Sequence, residues 1–122
     1  MTVQELYAEI GNYEEAQSRL MNDRFIAKFV MKFPLDPSFE QLMDAWKNND
    51  RDAIFKAAHT MKGVCANLAL SKLTGLASKI TEAYRPGTEK PSEDMSDTVQ
   101  KLQIQYAETI AAIRRYEGEA QQ

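Results

Sequence analysis

Residues 58–68 read Ala58-His59-Thr60-Met61-Lys62-Gly63-Val64-Cys65-Ala66-Asn67-Leu68, and the apolar spacing in and before this run predicts a helix. At about 100° per residue, one set of apolar side chains falls within about 60° of Met61: Ile54, Ala57, Ala58, Val64, Cys65 and Leu68. His59 falls about 160° from Met61. The sequence therefore predicts a helix with one buried face, and the only histidine of the chain lies on the solvent face.

Two neighbours of His59 suit an imidazole that reacts with an external group. Lys62 and Gly63 lie three and four residues after it, which places both beside it on a helix surface. A phosphoryl group carries close to two negative charges. A lysine about 6 Å away attracts a single charge by roughly 0.7 kcal/mol in water and by about 3 kcal/mol at an effective dielectric of about 20. Gly63 costs the helix about 1 kcal/mol relative to alanine, which indicates that something approaches the ring closely.

The solvent face around His59 is predicted to dock a partner. Phe55 falls about 120° and Ala66 about 140° from Met61, between the buried stripe and solvent. An aromatic and a small apolar residue beside an exposed histidine are typical of an interaction surface. We predict that the docking surface comprises Asp52, Phe55, Lys56 and Ala66, together with Lys62 and Gly63. The alternative for Phe55 is packing beneath the N-terminal helices.

Helix start and stop signals divide the first part of the chain, and strand signals are almost absent. The stretch Thr2-Val3-Gln4-Glu5 has the form of a capping box that begins a first helix, and Gly11 ends it. Asn12 begins a second segment, which runs to about Lys32 and is stopped by Pro34. Apolar residues recur at helical spacing through this segment: Leu20, Phe25, Ile26, Phe29, Val30 and Phe33.

Four longer helices are predicted in the rest of the chain. Asp36-Pro37 begins the first of them, with proline at the first helical position. Asp50 caps the second, which is the histidine helix and runs over about residues 51–68. The last of the four begins near Ser92 or Ser96.

The short connections between the middle helices indicate that neighbouring helices run antiparallel. We therefore predict an all-α fold, an up-down antiparallel four-helix bundle over about residues 36–117. One or two short N-terminal helices would cover its end or flank. A chain of 122 residues supports one domain with one core, so residues 1–122 are assigned to a single domain. We expect a monomer.

Composition excludes several classes of function. The net charge of −3 and the pI near 5.2 come with no basic stripe that would bind nucleic acid. No apolar run approaches the roughly 20 residues that span a membrane, and no secretory signal is visible. Cys65 is the only cysteine and lies on the opposite face from His59, which argues against a zinc site and a Cys–His nucleophile pair. We expect a cytoplasmic protein with no metal and no cofactor of its own.

The histidine stretch resembles the histidine-containing phosphotransfer (HPt) domain of bacterial, fungal and plant two-component phosphorelays. The family pattern is His-x-Leu/Met-Lys-Gly within a helix of a four-helix bundle. This chain has His59-Thr60-Met61-Lys62-Gly63, followed by Ala66-Asn67-Leu68. The resemblance covers about residues 39–113. It implies that His59 is the phospho-acceptor, Lys62 its charge partner and Gly63 the residue that leaves clearance for a partner.

Two positions depart from the family pattern. Ala69 stands where the family usually has glycine after the leucine that ends this helix. Because alanine is poor in a left-handed cap, we expect a locally different turn. Gly75 lies inside the next helix, where the pattern does not require it, and we interpret it as a point of close helix packing.

By this resemblance we expect a free-standing phosphorelay intermediate without kinase activity. A receiver-domain aspartate of a response regulator or hybrid kinase would donate a phosphoryl group to His59, which would pass it to another receiver domain. Mg²⁺ is expected in the receiver, held by its carboxylates.

Two alternatives stay open. One is a helical-bundle module that binds receiver domains or other signalling partners without transfer. The other is an enzyme with His59 as general base, which needs a concave pocket that a helix face does not offer.

Overall fold

The computed structural model describes residues 1–87 and 94–120, and within these ranges the chain is helical with no strand. The helices are α1 (Val3–Ile10), α2 (Tyr13–Leu20), α3 (Asp23–Val30), α4 (Ser38–Lys47), α5 (Arg51–Asn67), α6 (Ser71–Ala83) and α7 (Ser96–Ala120), with a short 3₁₀-helix (Phe33–Leu35) before α4. The predicted all-α class is confirmed. None of the helices in these ranges combines the length and the apolar character that crossing a bilayer requires.

Local capping signals begin several helices where the sequence predicts them. At α1 the capping box is complete, because the Glu5 N–H donates to Thr2 Oγ1 over 3.0 Å and the Thr2 N–H donates to Glu5 Oε1 over 2.9 Å. The side chains of Asn12 and Asp50 accept hydrogen bonds from the first turns of α2 and α5. These side chains satisfy N–H groups that no helix carbonyl can reach.

The segment predicted as one helix from Asn12 to about Lys32 is two helices. Met21 adopts a φ of +77°, and Asn22 then caps α3 by accepting a hydrogen bond from the Phe25 N–H over 3.0 Å. An asparagine side chain that bonds to the following backbone N–H groups favours a new helix start over continuation of the old helix. Residues 1–32 therefore form three α-helices, where one or two were predicted.

The starts of the later helices follow the sequence with small differences. The Asp36 carboxylate accepts a hydrogen bond from the Ser38 N–H over 3.0 Å, and α4 begins at Ser38, after Pro37. Of the two predicted starts for the last helix, the structure has Ser96. Ser92 lies outside the described residues. The predicted N-cap at Asp36 is therefore wrong by one residue, because Pro37 occupies the N-cap position without a side-chain cap hydrogen bond and Asp36 bonds to Ser38 from one residue before it.

The buried face of α5 belongs to one hydrophobic core to which every α-helix contributes. α5 contacts α4 and α6, α6 contacts α7, and α1 packs against α7. The N-terminal helices supply some of the most deeply buried side chains of this core: Leu6, Tyr7, Ile10, Ile26 and Val30. α5 is therefore held from one side by its neighbours, which leaves its other face at the surface.

The turn between α5 and α6 keeps a left-handed residue although it lacks glycine. Ala69 adopts a φ of +56°. The Leu70 N–H donates to the Cys65 carbonyl over 2.9 Å and the Ala69 N–H donates to the Ala66 carbonyl over 3.0 Å, the hydrogen bonds of a Schellman turn. The expectation of a different turn is therefore wrong, and alanine adopts this conformation at a cost of roughly 1–2 kcal/mol.

The end of α1 packs directly against this turn. The Tyr7 hydroxyl donates to the Leu68 carbonyl over 2.7 Å, and the Asn12 N–H donates to the Ala69 carbonyl over 3.0 Å. A Cβ atom on Gly11 would lie only 2.1 Å from the Ala69 oxygen. Gly11 therefore does more than end a helix, because it lets two backbone segments approach more closely than any side chain would allow.

Gly75 does not serve the close helix packing that we predicted. A Cβ atom at this position would meet no atom within 4 Å beyond its chain neighbours and its own helix backbone. The predicted role is therefore wrong. Gly75 instead lines an open groove between α6 and α7.

Candidate functional site

His59 lies on the solvent face of α5, where the sequence places it. The opposite face of the helix is buried, as predicted, at Ile54, Ala57, Ala58, Met61, Cys65 and Leu68, whereas Val64 of the predicted buried set is only half-buried. His59 itself is exposed. Because the core holds α5 from behind, a rigid element presents the imidazole to solvent.

The surface one turn after His59 is open. Gly63 is exposed, and a Cβ atom there would meet no atom within 4 Å beyond its chain neighbours and its own helix backbone. Lys62 is half-buried, and none of the ion pairs within the described ranges uses its ammonium group. A group bound at His59 would therefore meet an open surface at Gly63 and an available positive charge at Lys62.

Phe55 is half-buried one turn before His59. The two rings stack with their centroids 5.8 Å apart and their planes 16° from parallel. The guanidinium carbon of Arg85, just after α6, lies 5.4 Å from the centroid of the Phe55 ring, within the range of a cation–π contact. Phe55 thus joins the histidine to the end of the neighbouring helix.

Arg85 and Glu82 bring a second pair of charges to this surface. Arg85 Nε lies 3.0 Å from Glu82 Oε2, and Arg85 Nη2 lies 2.7 Å from Glu82 Oε1. These hydrogen bonds hold the pKa of Glu82 below its usual value, with smaller contributions from the charges of Lys62 and His59. No local sequence pattern points to either residue, because only the packing of α6 on α5 brings them to the histidine.

The other predicted docking residues lie on the same helix. Lys56 Nζ and Asp52 Oδ2 form an exposed ion pair 2.9 Å apart, one turn from each other, and this contact raises the pKa of Lys56. An exposed pair of this kind adds little stability, so both side chains can rearrange when a partner binds. Ala66 is half-buried after Gly63.

An aromatic surface on α3 continues from the C-terminal part of α5. Phe25 and Phe29 are each 39% exposed. The ammonium groups of Lys28 and Lys32 lie 5.9 Å from the centroid of the Phe29 ring. A pocket of about 260 Å³ joins this surface to α5, lined by Leu20, Phe29, Lys32, Val64, Asn67 and Leu68. Helical spacing alone does not show that these two phenylalanines face away from the core.

Cys65 has no part in this surface. Its side chain is buried in the core, and burial raises the pKa of the thiol to about 12. A thiolate nucleophile at neutral pH is therefore disfavoured at this position. Within the described ranges, no three side chains of the types that bind metals come together.

A family model of the Hpt domain matches residues 35–116. The chain belongs to the Hpt domain family. Hpt domains act as phosphocarriers in two-component signalling and interact with receiver domains. The matched segment of this Hpt domain contains His59 and all the side chains that surround it on α5 and α6, and it leaves α1, α2 and α3 outside. No curated protein and no solved structure matches the chain.

Proposed function

We propose that this Hpt domain is a phosphorelay intermediate. His59 accepts a phosphoryl group from a receiver-domain aspartate and passes it to another receiver domain. The observation that carries the proposal is an exposed His59 beside an open helix surface at Gly63, within the segment that the family model matches. As a ring nitrogen of His59 attacks phosphorus, the bond from phosphorus to the receiver's aspartate oxygen breaks. A P–N bond forms, and the aspartate leaves as a carboxylate. Transfer to the second receiver reverses these bond changes.

The charges near His59 support a role in holding the phosphoryl group. Lys62 supplies a cation next to the new negative charge, and Gly63 provides the clearance that the receiver needs. Arg85 lies at the edge of this surface through its contact with Phe55. The receiver supplies Mg²⁺ and most of the electrostatic stabilisation, and this chain contributes no cofactor and no kinase activity.

The proposal includes an up-down antiparallel arrangement of α4 to α7, over about residues 36–117 of a single cytoplasmic domain that acts as a monomer. Each of these four helices contacts the next one along the chain, which supports this arrangement. So do the short connections on either side of α5, at residues 48–50 and 68–70. A chain reversal within so few residues favours antiparallel neighbours.

The receiver docks on the face of α5 that carries Asp52, Phe55, Lys56 and Ala66. The aromatic surface on α3, formed by Phe25 and Phe29, extends this face. The pocket beside Phe29 is lined in part by α5 residues just after Gly63. An apolar centre with charged residues at its edge is the usual composition of such an interface.

Phosphotransfer from a panel of receivers tests the proposal. Each receiver domain is phosphorylated on its aspartate with a labelled phosphoryl group, freed of the donor and mixed with the chain. We expect label on the chain that is lost in acid and kept in alkali, and that returns to a second receiver. Receiver binding without label transfer would instead support a module that binds and does not transfer.

The neighbours of His59 should differ in their effect on the rate of transfer. Lys62→Ala should slow transfer without abolishing it, since one exposed charge contributes about 1–3 kcal/mol once a partner covers it. Gly63→Leu should slow it more by blocking the receiver, and its helix should be no less stable. Single-turnover rates with one receiver measure both effects, and Gly118→Leu, at an exposed position of α7, is the matched control. Wild-type transfer by Gly63→Leu would contradict the clearance argument.

Phe55→Ala should weaken receiver binding by about 1–2 kcal/mol, because an aromatic side chain near the centre of an interface loses much of its contact on truncation. Its half-buried position predicts a small change in the free energy of unfolding. Titration calorimetry with a receiver and a thermal melt measure the two quantities. Leu35→Ala, at a side chain that is 83% exposed, is the control. A lower melting temperature with unchanged affinity would remove Phe55 from the docking surface.

A further inference from the structure

A groove between α6 and α7 lies apart from the His59 surface. It has a volume of about 590 Å³ and is open to solvent, and no residue of α5 lines it. Its apolar part is formed by Gly75 and Leu76 of α6 and by Ile104 of α7, whose side chain is 54% exposed. A large aliphatic side chain beside an open apolar groove is typical of a surface that a partner covers.

Gly75 has no role in the fold that explains its presence in the groove. It lies in the interior of α6, outside the left-handed conformations that favour glycine, and a Cβ atom there would meet no atom within 4 Å beyond its chain neighbours and its own helix backbone. Any ordinary side chain would make the helix more stable. Because glycine has no side chain, it allows the backbone of a partner to approach α6 closely.

Positive charge surrounds the apolar part of the groove. Lys72, Lys79 and Lys101 line it and are exposed, and none of the ion pairs within the described ranges uses them. Among the described residues that line the groove, Glu108 is the one carboxylate. Because the whole chain has a net charge of −3, this cluster is a local reversal of sign. It favours a partner with an acidic surface.

We propose that the groove binds an acidic amphipathic helix of a partner protein. Lys72 and Lys79 are two helical turns apart, about 10 Å, so carboxylates at the same spacing on a helix lying along α6 would face both. Apolar side chains three or four residues apart on that helix would cover Leu76 and Ile104. The concave space between two helices suits a third helix better than it suits a flat bilayer. This inference does not depend on phosphotransfer by His59.

A pair of designed peptides tests the proposal on the whole chain. Both are about 18 residues long, enough to populate a helix, and both carry leucine at positions that form one apolar stripe. In one peptide glutamate flanks the stripe, and in the other lysine replaces each glutamate. We expect the acidic peptide to bind at least about tenfold more tightly, with amide shift changes concentrated at Gly75, Leu76, Lys79 and Ile104. Equal affinities, or shifts centred elsewhere, would overturn the proposal.

Variants that should not unfold the chain make the test specific. Gly75→Gln fills the groove at an exposed helix position and should abolish binding while keeping the melting temperature at or above that of the wild type. Ile104→Ser and Lys79→Glu should each weaken binding by about tenfold. Lys47→Glu, at the exposed end of α4, should leave it unchanged. Unchanged binding by Gly75→Gln would overturn the proposal. The proposal would also be overturned if the chain self-associated and Ile104→Ser abolished that self-association. Binding to anionic vesicles in place of the acidic peptide would overturn it as well.

Discussion

His59→Gln should fold like the wild type and accept no phosphoryl group. The imidazole is exposed, so its replacement by a carboxamide removes little packing. The variant loses the only histidine of the chain, and a carboxamide has no ring nitrogen that can attack phosphorus. Circular dichroism and transfer of label from a phosphorylated receiver, measured on one sample, check the two halves of this expectation.

A charge-altering substitution outside the proposed site controls for general effects on the chain. Lys47→Gln, at the end of α4, should keep both the circular dichroism spectrum and the labelling. Label retained by His59→Gln would show that another residue is the acceptor. Loss of the helical spectrum would show that His59 supports the fold, contrary to its exposed position. Either result would remove the basis of the proposed function.

Gly11→Ala should destabilise the chain by about 3 kcal/mol, the upper end of the usual range for forcing atoms into a packed site. The new Cβ would lie 2.1 Å from the Ala69 carbonyl oxygen. That oxygen belongs to a backbone that cannot rotate away as a side chain does, and it accepts the Asn12 N–H. The free energy of unfolding of a domain of this size is about 5–15 kcal/mol, so this loss is a large fraction of it. Denaturant unfolding measures it.

Gly118→Ala is the matched control, since Gly118 is an exposed helix residue whose Cβ would meet no atom within 4 Å beyond its chain neighbours and its own helix backbone. That variant should be as stable as the wild type or more stable. An equal loss of stability in both variants would point to a general effect of changing glycine. A stable Gly11→Ala would mean that α1 can move away from the turn after α5 without penalty.

Features set by neighbouring residues were predictable from the sequence. The capping box at Thr2 and the caps at Asn12 and Asp50 act within one helical turn, so the residues that decide them stand together in the chain. The exposed position of His59 follows in the same way, because helical periodicity places it opposite Met61 and its apolar neighbours. The family pattern around His59 is equally local, and the family itself was recognisable from it.

Features that depend on packing between distant segments were not predictable. Arg85 reaches Phe55 because α6 packs on α5, and no spacing along the chain encodes that contact.

Two local features were also missed. The break at Met21 has no proline or glycine to mark it, although Asn22 was an available cap. Ala69 shows the limit of a residue rule, since the hydrogen bonds around the turn hold alanine in a conformation that usually takes glycine.

The contact of α1 with the turn after α5 bears on how this protein can be dissected. An expression fragment cut to the matched segment, residues 35–116, would lack Tyr7 and Asn12, which hydrogen-bond to the carbonyls of Leu68 and Ala69. It would also expose core side chains that α1 and α3 now cover. The helix that carries His59 would then end in an uncovered turn. The boundary of the family match is therefore a poor place to truncate this protein, and fragments for biochemistry should begin before Thr2.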